Sequence, residues 1–421
     1  MTTKTTEPGK KNLESTLGIS KSIKASYGNL RKAKEEGKPI IWSFGLTPRE
    51  IFHALDAPVM YLEHLPQIIT AKQLSGHYCQ VAEEIGFSRD LCATHRTFVG
   101  CVAAEEKDPY LENLFVEPDL IIATNLPCIS ESKSFLYSVN HYNIPYYFID
   151  APINTWGKDI PDYAIEYYVG QLKGALDFMG EYGYKLDLDK LKETVRLSKK
   201  LVELWNEIDV YRQAIPSPMS AVDGFTACYP LIQLSGTDLG VTLYEKLLEE
   251  LKEKVKRKES VLEDEKLRLF WFGVPPVYNM GLLNYVEKFG AVVVKSMVEY
   301  LAGGAYDPSI MDPEKPLESL ANKALVDILN PTAQNLIDFI VKTVKDFNVD
   351  GVIEVVKRSC GLLPGYSRPI KDAIFDNVHI PATIFDLDGT DIREYDDATS
   401  KANLDSFIEA LLASKVRSRV L

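Results

Sequence analysis

Six cysteines carry the chemistry this sequence can offer: Cys79, Cys92, Cys101, Cys128, Cys228 and Cys360. A thiolate is a nucleophile and a soft metal ligand. No two of the six form a CxxC pair, so the common zinc spacings and the ferredoxin spacing are absent. Read singly, each is a small buried hydrophobe. Read together, they are dispersed thiolates that a fold can gather around one metal or iron–sulfur centre.

The elements that would gather them follow from the apolar runs. Short runs at 39–44, 59–62, 120–124 and 146–149 read as strands separated by helical stretches. A second set, at 267–273, 290–294, 351–354 and 381–385, repeats the alternation. Such alternation predicts parallel sheets. Thr47-Pro48-Arg49-Glu50 reads as a helix start with Pro48 at the first helical position. Between the two sets, Asp187 caps a helix reaching about Arg212, with Leu191, Val195, Leu201, Leu204 and Ile208 at helical spacing. The lysine- and glutamate-rich stretch 243–258 reads as a solvated face. The expected fold class is therefore α/β: two parallel-sheet, flavodoxin- or Rossmann-like domains with a helical domain between them. The expected divisions are an N-terminal helical arm over 1–36, α/β domain I over 37–160, a helical domain over 161–264 and α/β domain II over 265–421. Cys128 then follows the strand 120–124 and Cys360 follows the strand near 351–355. Both sit at carboxyl edges of strands, where open α/β sheets collect functional groups. Two facing edges make a cleft, the ordinary place for a ligand.

Charge narrows the class. The net charge is -13, which argues against nucleic acid and against an anionic membrane surface. The start, MTTKTTEPGKK, has no apolar core of a signal peptide, and no apolar run is long enough for a membrane span. A cytoplasmic location is expected, where thiols stay reduced.

Three stretches resemble the 2-hydroxyacyl-CoA dehydratase and benzoyl-CoA reductase family. They are Glu83-Glu84-Ile85-Gly86-Phe87-Ser88-Arg89-Asp90-Leu91-Cys92-Ala93-Thr94-His95-Arg96, then Glu117-Pro118-Asp119-Leu120-Ile121-Ile122-Ala123-Thr124-Asn125-Leu126-Pro127-Cys128, and Ile380-Pro381-Ala382-Thr383-Ile384-Phe385-Asp386-Leu387-Asp388. Cys360 precedes the last where that family places its third ligand. The resemblance covers nearly the whole chain beyond the N-terminal arm. It implies a [4Fe-4S] cluster on Cys92, Cys128 and Cys360. This sequence adds Cys79, Cys101 and Cys228, and six is the number of the double-cubane branch, which resembles the dehydratases in fold and binds an [8Fe-9S] cluster. The preferred expectation is that all six are cluster ligands; the alternative keeps a [4Fe-4S] site with three bystanders.

The resemblance further implies an oxygen-sensitive, anaerobic oxidoreductase component. A separate ATP-hydrolysing activator with its own [4Fe-4S] cluster supplies low-potential electrons, fed by a ferredoxin or flavodoxin, and a small-molecule substrate is reduced. A homodimer is expected. The alternatives are a [4Fe-4S] subunit of a 2-hydroxyacyl-CoA dehydratase, a lyase, and a non-enzymatic iron–sulfur carrier or scaffold. His77 and His95 lie near the cysteine segments and are candidate proton donors. Arg96 and Arg358 are candidates to offset cluster charge. Phe385-Asp386-Leu387-Asp388-Gly389-Thr390 matches the DxDGT phosphatase signature, but only some thirty residues follow it, so Asp386 and Asp388 read as a loop at a strand end. No GxxxxGK[ST] or strand-linked GxGxxG is present, so nucleotide binding by those loops is not expected.

Overall fold

The computed structural model describes residues 9–157, 159–300, 306–327, 330, 332–357 and 359–420. The first sheet contains β1 (Ile41–Phe44), β2 (Val59–Tyr61), β3 (Leu120–Thr124) and β4 (Tyr146–Ile149), in the order β2-β1-β3-β4 and all parallel. The second contains β5 (Leu267–Phe272), β6 (Ala291–Ser296), β7 (Gly351–Val356) and β8 (Ala382–Asp386), in the order β6-β5-β7-β8, again all parallel. The two sheets share one topology. Every residue of β1, β3, β5 and β6 is buried, because helices cover both faces. The apolar runs read from the sequence are these eight strands.

Strand order reverses between β1 and β3, and again between β5 and β7. Such a switch point opens a crevice at the carboxyl edge of a sheet. A glycine lets the backbone close in tightly at each one. Gly45, just past β1, has φ +74°, and a Cβ there would lie 2.2 Å from the Leu126 carbonyl. Gly273, just past β5, has φ +101°, and its Cβ would lie 2.3 Å from the Val355 carbonyl. Neither place accepts a side chain.

The helices run in chain order. α1 (Glu14–Glu35) precedes the first sheet, and α2 (Arg49–Ala54) follows β1. α3 (Leu65–Ala71), α4 (Ser75–Glu84), α5 (Ala93–Ala103) and α6 (Pro109–Glu112) lie between β2 and β3, and α7 (Ile129–Tyr142) joins β3 to β4. The helical middle is α8 (Asp162–Glu181), α9 (Leu188–Arg212), α10 (Ala221–Ala227), α11 (Tyr229–Gln233) and α12 (Asp238–Arg257). The second half adds α13 (Gly281–Tyr285), α14 (Pro316–Val326), α15 (Ala333–Asp346), α16 (Ser367–Val378) and α17 (Asp397–Val420). The Asp187 side chain accepts from the Asp189 and Lys190 amides, so the cap of α9 is the one expected.

Two local expectations need correction. Pro48 is the residue before α2 rather than its first helical residue, because its ψ of 113° is extended. The charged helix α12 is not solvated all round: Leu243, Tyr244, Leu247 and Leu251 form a buried stripe, and Tyr244 stacks on Trp205 of α9 at 5.3 Å. Lysine and glutamate dominate the sequence there, but the 3.6-residue period turns the leucines to one side. Among the described residues, no helix is long and apolar enough to cross a membrane.

Candidate functional site

Three cysteines arrive at one place from three elements. Cys128 follows β3 and is the N-cap residue of α7, after a cis Leu126–Pro127 bond. Cys92 is the N-cap residue of α5. Cys360 lies in the turn after β7, where the Leu363 amide donates to its Sγ at 3.4 Å. All three are partly exposed. Cys92 is near Cys128, and the Lys357 ammonium lies against both Cys92 and Cys360. Helix N-termini favour negative charge, so α5 and α7 suit thiolates at Cys92 and Cys128. Burial, then Glu131 and Cys92, push the Cys128 thiol up to about 12. The free thiol is thus protonated, and a metal centre must displace that proton to bind.

The loop after β8 sets this meeting. The Ala93 amide donates to Ser359 Oγ at 3.2 Å, joining the residue after Cys92 to the residue before Cys360. Ser359 Oγ donates to Asp388 Oδ2 at 2.8 Å. Asp388 Oδ1 accepts the Thr390 and Asp391 amides at 2.8 and 2.9 Å. Lys357 Nζ donates to Thr94 Oγ1 at 3.2 Å and Thr390 Oγ1 at 3.3 Å, and lies 3.6 Å from Asp388 Oδ1. Burial works against this ammonium, but Asp388 and the thiols outweigh it and raise its pKa above the ordinary value. Further out, Arg96 pairs with Glu83 and with Asp391 at 3.2 Å, and Arg393 pairs with the same two carboxylates. Asp388 is therefore a loop-organising residue at a strand end, as read from the sequence. Arg96 is spent on this clasp and does not face the thiols' cavity.

Cys92 and Cys128 line a cavity of about 450 Å³ between the sheets and the helical middle. Its polar wall holds Arg49, Glu63, His95 and Glu131. Arg49 Nη2 lies 3.4 Å from Glu63 Oε2, and its guanidinium sits 4.5 Å over the Tyr61 ring. Glu131 Oε1 lies 3.5 Å from His95 Nε2, and His95 Nδ1 is 2.9 Å from Ser134 Oγ. The Gly45 amide faces both Glu63 and Glu131. Burial raises both carboxyls, and Glu63 adds to the rise at Glu131. With Glu63 beside Arg49 and Glu131 beside His95, burial favours the neutral acid at both. Burial, with Lys357 adding to it, lowers His95 to about 3, so its ring is neutral.

Comparison with known proteins gives this geometry a family. The model of the family "2-hydroxyglutaryl-CoA dehydratase, D-component" matches residues 45–411. The chain belongs to that family. Among its relatives is the (R)-2-hydroxyisocaproyl-CoA dehydratase alpha subunit of Clostridioides difficile, 26% identical over 416 residues that cover 96% of this chain and 98% of that one. The (R)-phenyllactyl-CoA dehydratase alpha subunit of Clostridium sporogenes is 26% identical over 389 residues, 91% and 92% of the two chains. A benzoyl-CoA reductase subunit of Thauera aromatica is 25% identical over 411 residues, 92% of each.

In this member of the dehydratase family, the other three cysteines have different surroundings. Cys79 of α4 is fully buried, with its Sγ 3.5 Å from the Ala93 carbonyl and 3.3 Å from Thr97 Oγ1. Burial, then Asp391, push it up to about 12. Cys101 is buried in the core beneath α5, packed with Trp42 and Phe98 in one cluster. Cys228 lines the cavity, but its Sγ donates to the Phe225 carbonyl at 2.9 Å. His77 is on the exposed face of α4 against the Tyr78 ring, whereas His95 is in the cavity wall. Arg358 is outside the described residues. Sequence reasoning passed over Arg49, Glu63, Glu131 and Lys357. Glu63 stands just past β2 and Glu131 three residues past Cys128, both near carboxyl edges, and that position was the available signal.

Proposed function

We propose that this chain is the cluster-bearing subunit of a 2-hydroxyacyl-CoA dehydratase, with a [4Fe-4S] cluster on Cys92, Cys128 and Cys360 and a coenzyme-A thioester in the cavity. The observation that carries this reading is the meeting of those three thiols, Cys92 near Cys128 and linked to Cys360 through Lys357, with Cys92 and Cys128 lining the cavity. Among the described residues, no three of His, Cys, Asp or Glu lie close enough to hold a single metal ion. The donors that meet here are thiols, the ligands iron–sulfur clusters take, so their chemistry suits one. When bound, such a cluster supplies one-electron chemistry and a Lewis-acidic iron.

The chain's own residues supply the rest. Lys357 offsets the negative charge of Cys92 and Cys360. The Leu363 amide donates to Cys360 Sγ. Glu63 and Glu131, both pushed toward the neutral acid by burial, stand at the cavity wall, where a substrate can take a proton or return it. Arg49 fixes Glu63, and the neutral His95 fixes Glu131. The apolar remainder of the wall keeps water out.

A separate ATP-hydrolysing reductase, fed by a ferredoxin or flavodoxin, would load the electron. Relatives named as alpha subunits point to a second, different chain as partner rather than a homodimer. The double-cubane reductase reading asks Cys79, Cys101 and Cys228 to become ligands as well. Cys79 and Cys101 are fully buried in the packing of α4 and α5 and do not line the cavity, which speaks against a set of six ligands.

The test is turnover by anaerobically purified chain, with its second subunit, the reductase and ATP. Conversion of a 2-hydroxyacyl-CoA to the enoyl-CoA is expected. Cluster-loaded protein that dehydrates no 2-hydroxyacyl-CoA, or that passes its cluster intact to an apo-acceptor, would sink the reading.

A further inference from the structure

Away from the thiols, the cavity wall is apolar. Ile23 of α1, Ile68 of α3, Phe225 and Ile232 of α10 and α11, and Leu320 of α14 face it. Its inner cations are already matched. Arg49 Nε donates to the Ile232 carbonyl at 2.8 Å, and Nη1 to the Thr47 and Gly45 carbonyls at 2.9 and 3.1 Å. Its Nη2 faces Glu63. Lys323 Nζ is held by Glu50 Oε1 at 2.6 Å, and Ser198 Oγ donates to the same oxygen at 2.6 Å. Against these stand the carboxyls of Glu63, Glu131 and Asp327 in the same wall. Lys11, on the segment before α1, is bound to Ser20 Oγ at 2.7 Å.

We propose that this cavity selects acyl groups with an apolar end, branched aliphatic or aromatic, and discriminates against acyl groups that carry a second carboxylate. The proposal rests on the reading of the cavity as a thioester site. An isobutyl or phenyl end buried among isoleucine and leucine side chains leaves water at a gain. A second carboxylate entering the same space loses its hydration and finds Arg49 and Lys323 occupied. Arg49 cannot turn to it without abandoning three carbonyls. The wall thus discriminates by leaving the wrong group unpaired, as well as by welcoming the right one.

The experiment is calorimetric titration of the anaerobically purified full chain with two saturated, unreactive thioesters, 4-methylpentanoyl-CoA and glutaryl-CoA. The branched thioester is expected to bind at least about tenfold more tightly. Equal or tighter binding of glutaryl-CoA overturns the proposal. The Lys11→Met variant removes the wall cation that a hydroxyl holds. The preference is expected to persist in it. Glutaryl-CoA that binds tightly to the parent chain and weakly to K11M would make Lys11 the carboxylate partner, which also overturns the proposal. If neither thioester binds to folded, cluster-loaded chain, the thioester reading itself has failed, and that outcome is distinct from a lost preference.

Discussion

Cys128 and Cys360 stand at equivalent places in the two halves of the fold: each lies four residues beyond the last residue of its central strand, Thr124 of β3 and Val356 of β7. Each strand pairs with one that is followed at once by a left-handed glycine, Gly45 or Gly273. Cys92 has no counterpart of this kind. It is brought in by α5 and fixed by the Ala93–Ser359 bond.

The ligand assignment separates the six thiols. Cys92→Ala, Cys128→Ala and Cys360→Ala should each lose most of the iron and the visible absorbance of the purified chain. Cys79→Ala and Cys101→Ala should keep about four iron per chain. Iron and acid-labile sulfide analysis on anaerobic protein reads this directly. About eight iron in the parent, falling in all six variants, would restore the double cubane.

Lys357 should set the potential of the cluster. Its ammonium stabilises the more negative, reduced form in a site of low dielectric. Lys357→Met should therefore lower the midpoint potential while retaining iron, as read by a redox titration followed by electron paramagnetic resonance. An unchanged potential at full iron content would show that the charge does not reach the cluster.

Asp388 holds Lys357, Ser359 and two amides at once. Asp388→Asn leaves a buried ammonium without its carboxylate and should cost about 3 kcal/mol. Asp376→Asn, at an exposed position of α16, should cost under about 1 kcal/mol. Chemical denaturation of the two variants compares them, and equal losses would remove Asp388 from the clasp.

His64, in the cavity wall, links stability to pH. Burial lowers its pKa to about 4, and its Nδ1 lies 3.2 Å from the Tyr27 hydroxyl. The unfolded chain binds this proton near about pH 6.5, so between about pH 6.5 and 4 it holds more protons than the folded chain. Stability from this group is present above about pH 6.5 and is lost as pH falls toward about 4, by on the order of 3 kcal/mol. His64→Gln should flatten that part of the stability profile. A slope identical to the parent's would assign the loss to other groups.

The sequence by itself determined the strands, their parallel arrangement and the two edge cysteines, because those features are local. An apolar run such as Leu120–Thr124 reports burial on both faces wherever it stands, and a cysteine just past it must sit at the edge. The capped helix beginning after Asp187 was legible for the same reason. The mixed α12 shows the limit of composition: its charges were obvious, while its buried stripe depended on which neighbour it met.

Tertiary structure decided the rest. Cys92 and Cys360 are far apart in the chain, and only the packing of the loop after β8 against α4 and α5 brings them to one lysine. Glu63, just past β2, and Glu131, in α7, reach one cavity wall only through the packing of the first sheet against its helices. Cys79 and Cys101 share the residue type and the segment of the ligands, but the period of α4 and α5 turns them into the core. Local sequence fixes a residue's element and face; which faces meet is a property of the whole chain's packing, and there the site is made.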